Sequence, residues 1–147
     1  MRNRVAVLHG ANLDQLGRRD PEQYGTFTLS ELERQVKRFA VELDLGVTFF
    51  DTNHEGEFIE FLHRLPELAD GAVINAGAWS HYSWAIHDAL EFSGLPAVEV
   101  HISDISKREE WRRHSVFEGL VVGMVAGKGI DGYRDALQML KESFQES

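Results

Sequence analysis

Glu99, His101 and Ser103 alternate with Val98, Val100 and Ile102. In a strand, this alternation sends the three polar side chains to one face and the three apolar ones to the other. A carboxylate two residues from an imidazole on one face can orient the ring and favour its protonated form, which suits a general acid. A sheet-edge strand with one wet face would carry the same residues, so the pattern alone leaves both readings open. His81 and Asp88 lie seven residues apart, two turns of a helix, and so share a face. A solvated surface pair is the plain alternative for these two. The segment Gly17-Arg18-Arg19-Asp20-Pro21-Glu22-Gln23-Tyr24-Gly25 sets two arginines close to a tyrosine. A nearby cation favours phenolate, the form of tyrosine that can accept a proton. An Arg-rich surface loop that happens to hold a tyrosine fits equally well.

These residues need elements to place them, and the chain reads as alternating strand and helix. Val5 to Leu8 is a short apolar run that stops at His9-Gly10. Thr28 and Glu31 form a capping box. Leu32, Val36, Phe39, Ala40 and Leu43 then repeat at helical spacing until Gly46. Val47 to Phe50 is the second strand. Thr52-Asn53-His54-Glu55 reads as another helix entry, leading to Phe58, Ile59 and Leu62. Ala72 to Ile74 is the third strand, and a helix follows from about Ser80 to Ser93, stopped by Gly94 and Pro96. Ala97 to Ile102 and Leu120 to Ala126 are the fourth and fifth strands, and a last helix runs from about Gly132 to Phe144.

Strands separated by helices of this length imply a parallel sheet covered on both faces. The expected fold is α/β and flavodoxin-like, a five-stranded parallel sheet in the order 2-1-3-4-5, as one domain over residues 1–147. Ligands of such sheets bind beyond the C-terminal strand ends, where the strand order reverses. The residues leaving those ends are His9-Gly10-Ala11-Asn12, Asn75-Ala76-Gly77, and Glu99, His101 and Ser103. Two segments, Gly10 to Phe27 and Ser103 to Phe117, read as long loops, the second holding Lys107, Arg108, Arg112, Arg113 and His114. Loops of that length in a compact domain are usually lids or binding loops.

Bulk properties narrow the function. With 24 acidic and 15 basic residues the net charge is −9, which opposes general affinity for nucleic acid or an anionic membrane. The chain has no cysteine, which removes thiolate metal sites, disulfides and cysteine nucleophiles. No apolar run approaches the roughly 20 residues of a membrane span. The opening residues lack a signal-peptide apolar region, so a cytoplasmic location is the default expectation. Gly127-Lys128-Gly129-Ile130-Asp131-Gly132 fits the spacing of a dinucleotide fingerprint. Only 15 residues follow it, too few for the second half of such a domain, and a tight turn into the last helix is the better reading. The histidines show no zinc spacing. The loop after the first strand, Ala11-Asn12-Leu13-Asp14-Gln15-Leu16-Gly17, is not the Ser/Thr/Gly-rich cradle a flavin phosphate would need.

Together these blocks resemble the type II 3-dehydroquinate dehydratases. His9-Gly10-Ala11-Asn12-Leu13, Gly17-Arg18-Arg19 and Pro21-Glu22-Gln23-Tyr24-Gly25 are similar to the opening signature of that family. Asn53-His54-Glu55-Gly56-Glu57, Asn75-Ala76-Gly77-Ala78-Trp79-Ser80-His81, Asp88-Ala89-Leu90, Glu99-Val100-His101-Ile102-Ser103 and Arg108 to Ser115 extend the likeness along nearly the whole chain.

The resemblance implies a dodecamer built as a tetramer of trimers. It also implies an anti elimination of water from 3-dehydroquinate through an enolate, with no cofactor, metal or Schiff base. It casts Tyr24 as the base, Arg19 as the cation that supports it, and Asn12 as the holder of a water at the enolate oxygen. By the same resemblance His101 would protonate the departing hydroxyl, oriented by Glu99. Asn75 and the backbone amides of Ile102 and Ser103 would meet the substrate carboxylate. The resemblance also implies that Arg112 and His81 meet ring hydroxyls, that Asp88 reaches in from a neighbouring subunit, and that Arg108 supports the site or the trimer contact. His9, Ala11, Ala76, Trp79, His87, Glu110 and Arg113 depart from the family's usual residues, and none of them is a proposed catalytic group. The alternative is a divergent paralogue that keeps the scaffold but has lost catalysis or changed substrate.

Overall fold

The computed structural model describes residues 1–146. Five parallel strands, β1 (Arg4–His9), β2 (Gly46–Asp51), β3 (Gly71–Asn75), β4 (Ala97–His101) and β5 (Gly123–Ala126), form one sheet in the order β2-β1-β3-β4-β5. Helices α1 (Pro21–Tyr24), α2 (Leu29–Glu42), α3 (Glu55–Leu68), α4 (Trp84–Ser93) and α5 (Asp131–Gln145) connect them. The expected flavodoxin-like α/β architecture and strand order are what the molecule shows.

Alternation along the central strands divides the core into two layers. Val5, Val7, Val73, Val98 and Val100 pack with residues of α2 and α5, including Leu32, Val36, Leu137 and Leu140. Ala6, Leu8, Ala72, Ile74 and Ala97 pack with Phe58, Leu62 and Leu65 of α3 and Ile86, Ala89 and Leu90 of α4. Because β4 lies between β3 and β5 and all five of its residues are buried, the wet-edge reading of Glu99 and His101 is excluded. Burying each of the larger aliphatic side chains is worth about 1.5–3 kcal/mol, so this two-layer core sets the register. That register brings His9 opposite Asn75, Ile74 opposite Glu99 and His101 opposite Ala126, which gathers the polar strand ends at one edge of the sheet.

Helix α2 starts where the capping box predicts. The Thr28 hydroxyl accepts from the Glu31 amide at 3.1 Å, and the Glu31 carboxylate accepts from the Thr28 amide at 3.3 Å. Its end differs from expectation. Leu43 closes the helix, Asp44 takes the left-handed conformation (φ 59°), and Gly46 opens β2 instead of capping α2.

Other boundaries also move. The fourth helix begins at Trp84, not near Ser80, because Gly77–His81 winds as a 3₁₀ turn and Ser83 then caps the helix by accepting from the Ile86 amide at 3.2 Å. His81 and Asp88 therefore do not share a helix face. Strand β5 begins at Gly123, three residues later than read, because the amides of Leu120 and Val121 both bond back to the Phe117 carbonyl in a turn. Helix α3 starts after His54, which offers no side-chain cap; Thr52 instead accepts from the His54 amide at 3.0 Å and donates to Glu57.

The two long segments are more ordered than their sequence suggests. The first contains a 3₁₀ turn over Leu13–Gln15 and helix α1, where Asp20 caps the Glu22 amide and Pro21 occupies the first helical position. Proline suits that position because its missing N–H would have been free there in any case. The second contains 3₁₀ turns over Ile105–Lys107 and Glu110–Arg113.

Candidate active site

At the switch point, the chain leaving β1 and the chain leaving β3 pass almost in contact. The Gly10 amide donates to the Asn75 carbonyl at 2.8 Å, and a Cβ on Gly10 would stand 2.4 Å from the Ala76 carbonyl oxygen. From the other side, a Cβ on Gly77 would lie 2.5 Å from the Ala11 carbonyl oxygen. Only glycine permits this approach, which sets Asn12 and Asn75 beside one cleft. The cleft has an empty volume of about 530 Å³, including its open mouth. Asn12, Arg19, Tyr24, Asn75, His81, His101, Ile102, Ser103, Arg108 and Arg112 all line it, so nearly every candidate residue meets in one place.

Tyr24, at the end of α1, is buried, and its phenolic oxygen accepts two charged donors. Arg19 Nη2 lies at 2.7 Å and Arg108 Nη1 at 2.6 Å. The Arg19 guanidinium also stacks over the ring, 3.7 Å from its centre. The Arg19 pKa is lowered, first by burial and then by the neighbouring Arg108 and Arg112 cations, against a raising contribution from Tyr24. An arginine keeps its proton under any such shift, so two full positive charges converge on one phenol oxygen. This arrangement stabilises negative charge there. Sequence reading had singled out Arg19 for this work. The structure adds Arg108, which also donates to the Ser103 hydroxyl at 3.2 Å.

The strand β4 pair is equally well defined. His101 Nε2 lies 2.5 Å from Glu99 Oε2, and the other carboxylate oxygen of Glu99 accepts from the Ser115 hydroxyl at 2.7 Å. Glu99 is 1% exposed, and a buried carboxylate with a donor on each oxygen meets the conditions under which an ionic pair survives burial. With Nε2 engaged, Nδ1 is the imidazole nitrogen left for a ligand in the cleft. The Ser115 hydroxyl in turn accepts from the Phe117 amide at 3.1 Å, which leaves its own proton for Glu99. Ser115 was not among the sequence candidates, and its only signal was a place within the Arg108–Ser115 block.

His81 Nδ1 bonds the His114 carbonyl at 2.7 Å, so Nδ1 carries the proton, and its ring stacks on His101 with centroids 5.5 Å apart. Its pKa is lowered, first by burial, with the His101 charge acting in the same direction and the His114 carbonyl opposing it. His81 therefore presents a neutral imidazole. Arg112 Nε is held by Glu109 at 2.6 Å. Asn12 sits in the left-handed conformation (φ 70°), fixed by its amide donating to Asn53 Oδ1 at 2.8 Å; Asn53 is a further supporting residue that sequence reading did not select.

Asn75 is buried at the end of β3, with its Oδ1 accepting from the Gly77 amide at 3.2 Å. Asp88 is the exception. Its side chain is 79% exposed and it does not line the cleft of its own subunit. Among the described residues, no three His, Asp or Glu side chains gather as a metal site, and no helix is long and apolar enough to cross a membrane.

The cleft thus combines a phenol under two cations, an imidazole backed by a carboxylate, and polar groups fit to hold an anionic, hydroxylated ligand. Comparison with known proteins points the same way. Residues 3–141 match the family model described as Dehydroquinase class II. A 3-dehydroquinate dehydratase of Syntrophotalea carbinolica is 50% identical over 131 residues, covering 88% of each chain. One of Halothermothrix orenii is 47% identical over 138 residues, covering 94% of this chain and 93% of that one. Among solved structures, the type II dehydroquinase from Propionibacterium acnes superposes with a TM-score of 0.89 at 42% identity, covering 97% of this chain and 98% of that one.

Proposed function

We infer the reaction from one premise: the chain belongs to the class II dehydroquinase family, whose model spans residues 3–141. The activity is that of a hydro-lyase, the elimination of water from 3-dehydroquinate to give 3-dehydroshikimate, a step that serves shikimate biosynthesis or quinate breakdown.

The observation that carries the assignment of roles is the double cation on Tyr24 facing the same cleft as the Glu99–His101 pair. An unassisted phenol is a poor base near neutrality, and hydroxide is a poor leaving group. The two clusters address these two difficulties separately. Tyr24, as phenolate, takes the proton from the carbon next to the ketone, and the C–H electrons pass into an enolate. Asn12 holds a water against the enolate oxygen. The enolate then expels the β-hydroxyl, which takes a proton from His101 and leaves as water, while Glu99 steadies the imidazolium. The proton gained by Tyr24 and the proton lost from His101 are equalised through solvent, which resets both groups.

Asn75 and the amides of Ile102 and Ser103 receive the substrate carboxylate. His81 and Arg112 receive ring hydroxyls; a neutral His81, its Nδ1–H committed to His114, offers Nε2 as an acceptor. Arg108 belongs with the base. Asp88, exposed in the single subunit, fits a contact made across an interface in a tetramer of trimers, where it would reach a neighbour's cleft. The proposed setting is the cytoplasm, with no cofactor.

Mixing the purified protein with 3-dehydroquinate and following the ultraviolet absorbance of the conjugated enone tests this reading. A rise that Tyr24→Phe abolishes is the expected result. A rise that survives this substitution removes Tyr24 as the base, and no rise from the folded protein removes the substrate.

A further inference from the structure

We propose that Tyr133 is a positioning residue for the substrate carboxylate, acting through the Asn75 amide that it anchors. The proposal rests on the reading above that Asn75 meets that carboxylate. Tyr133 is fully buried at the start of α5, and its hydroxyl oxygen accepts from Asn75 Nδ2 at 3.3 Å. Burial pushes the Tyr133 phenol up to about 12, so the group stays a neutral hydroxyl and takes no part in proton transfer.

The consequence lies in which way round the Asn75 amide sits. Its oxygen accepts from the Gly77 amide, which can only donate and so fixes which way round the amide sits, and its nitrogen donates to the Tyr133 hydroxyl, which anchors that end. The nitrogen has two N–H groups. One serves Tyr133, and the other is left for a ligand in the cleft that Asn75 lines. Rotated by half a turn, the same amide would turn a carbonyl oxygen toward the carboxylate, and an attraction would become a repulsion. The Gly77 amide sets the sign of that interaction, and Tyr133 holds the nitrogen end in place without touching the substrate.

The glycine-rich segment that precedes Tyr133 prepares the other half of the same subsite. The Gly127 amide donates to the Ser103 carbonyl at 3.0 Å and to the His101 carbonyl at 3.3 Å, and the Gly129 amide donates to the Ile102 carbonyl at 3.2 Å. Across a planar trans peptide, a carbonyl and the following N–H point in opposite directions. With the His101 and Ile102 carbonyls turned toward residues 127–129, the amides of Ile102 and Ser103 turn away from them, and both residues line the cleft. A Cβ on Gly127 would meet Asp104 Cβ at 3.0 Å, and Gly127 has φ +78°, so the turn needs glycine there. The spacing that resembled a dinucleotide fingerprint therefore supports an anion site, but the anion is a carboxylate held at the end of β4.

The test is a double-substitution cycle in steady-state kinetics with 3-dehydroquinate: wild type, Tyr133→Phe, Asn75→Ala and both together. Phenylalanine keeps the ring and its packing, and a cooperative thermal transition checks that each variant is folded. The proposal expects Tyr133→Phe to raise KM about fivefold, the worth of roughly one hydrogen bond, with a much smaller change in kcat. In the Asn75→Ala background it expects Tyr133→Phe to add nothing further. If Asn75→Ala raises KM while Tyr133→Phe leaves it alone, the positioning role is wrong and the carboxylate reading stands. If Tyr133→Phe lowers kcat and raises KM equally in both backgrounds, its effect is general packing, which also overturns the proposal. If Asn75→Ala leaves KM at the wild-type value, the carboxylate reading fails and takes the proposal with it.

Discussion

Replacing Arg108 with glutamine removes one of the two cations on the Tyr24 oxygen while keeping a polar side chain of intermediate length. The Arg108 side chain is only 12% exposed, and its hydrogen bond to the phenol measures 2.6 Å. A hydrogen bond to a charged partner contributes about 1.5–3 kcal/mol. Taking about 2 kcal/mol, and one decade in rate per 1.36 kcal/mol, the loss in kcat/KM is about thirtyfold. Arg19 still donates at 2.7 Å, so activity falls without vanishing. Arg108 also lowers the pKa of the partly buried Arg19, in second place to burial itself among the lowering causes, so its removal relieves some strain on the remaining cation. Substituting both arginines should consequently cost more than the product of the single losses. The assay is the initial rate of enone formation across neutral to alkaline pH. An Arg108→Gln protein that is folded and as active as wild type at neutral pH would refute the argument that both arginines act on Tyr24.

Two further expectations come from the surroundings of the cleft. Gly10→Ala forces a Cβ into the Ala76 backbone and should lower stability by about 2 kcal/mol, visible as an earlier urea midpoint. It should also depress activity by moving Asn12 away from Asn75; an unchanged midpoint would show that the close approach of the two loops is not needed. His81 should titrate below 6.5 when its ring protons are followed by nuclear magnetic resonance, since burial lowers its pKa first among several causes. The sign for stability follows from the unfolded chain taking up that proton first. The His81 contribution is whole above 6.5 and is lost as pH falls toward and through the folded value. Substituting His81 with glutamine should flatten that part of the stability–pH curve, and a curve that keeps its slope would count against this assignment.

Much of this architecture was legible because it depends on local periodicity. Alternation in β4 gave the face shared by Glu99 and His101, and Thr28 with Glu31 marked the start of α2. What escaped depends on contacts between distant segments. Ser115 meets Glu99 across 16 residues and Tyr133 meets Asn75 across 58, separations at which no spacing rule operates. The role of Arg108 against Tyr24 spans 84 residues and was open to several readings for the same reason. Helix α1 is a different case, since Asp20-Pro21 is a local start signal whose meaning was hidden by the arginines before it. The apolar run from Leu120 misled because Leu120 and Val121 do pack on the α3–α4 side of the core, but as a turn and not as sheet.

The central claim is that base and acid are separate groups, with Tyr24 making the enolate and His101 releasing the hydroxyl. Hydrogen exchange at the carbon next to the ketone tests it most directly. Folded His101→Ala and Tyr24→Phe proteins are each incubated with 3-dehydroquinate in deuterated water, and the unreacted substrate is examined by mass spectrometry. The account predicts that His101→Ala, with its phenol and both arginines intact, places deuterium in the substrate although elimination is largely stopped, while Tyr24→Phe does neither. Deuterium appearing with Tyr24→Phe and not with His101→Ala would contradict the account, because it would make His101 the group that takes the proton.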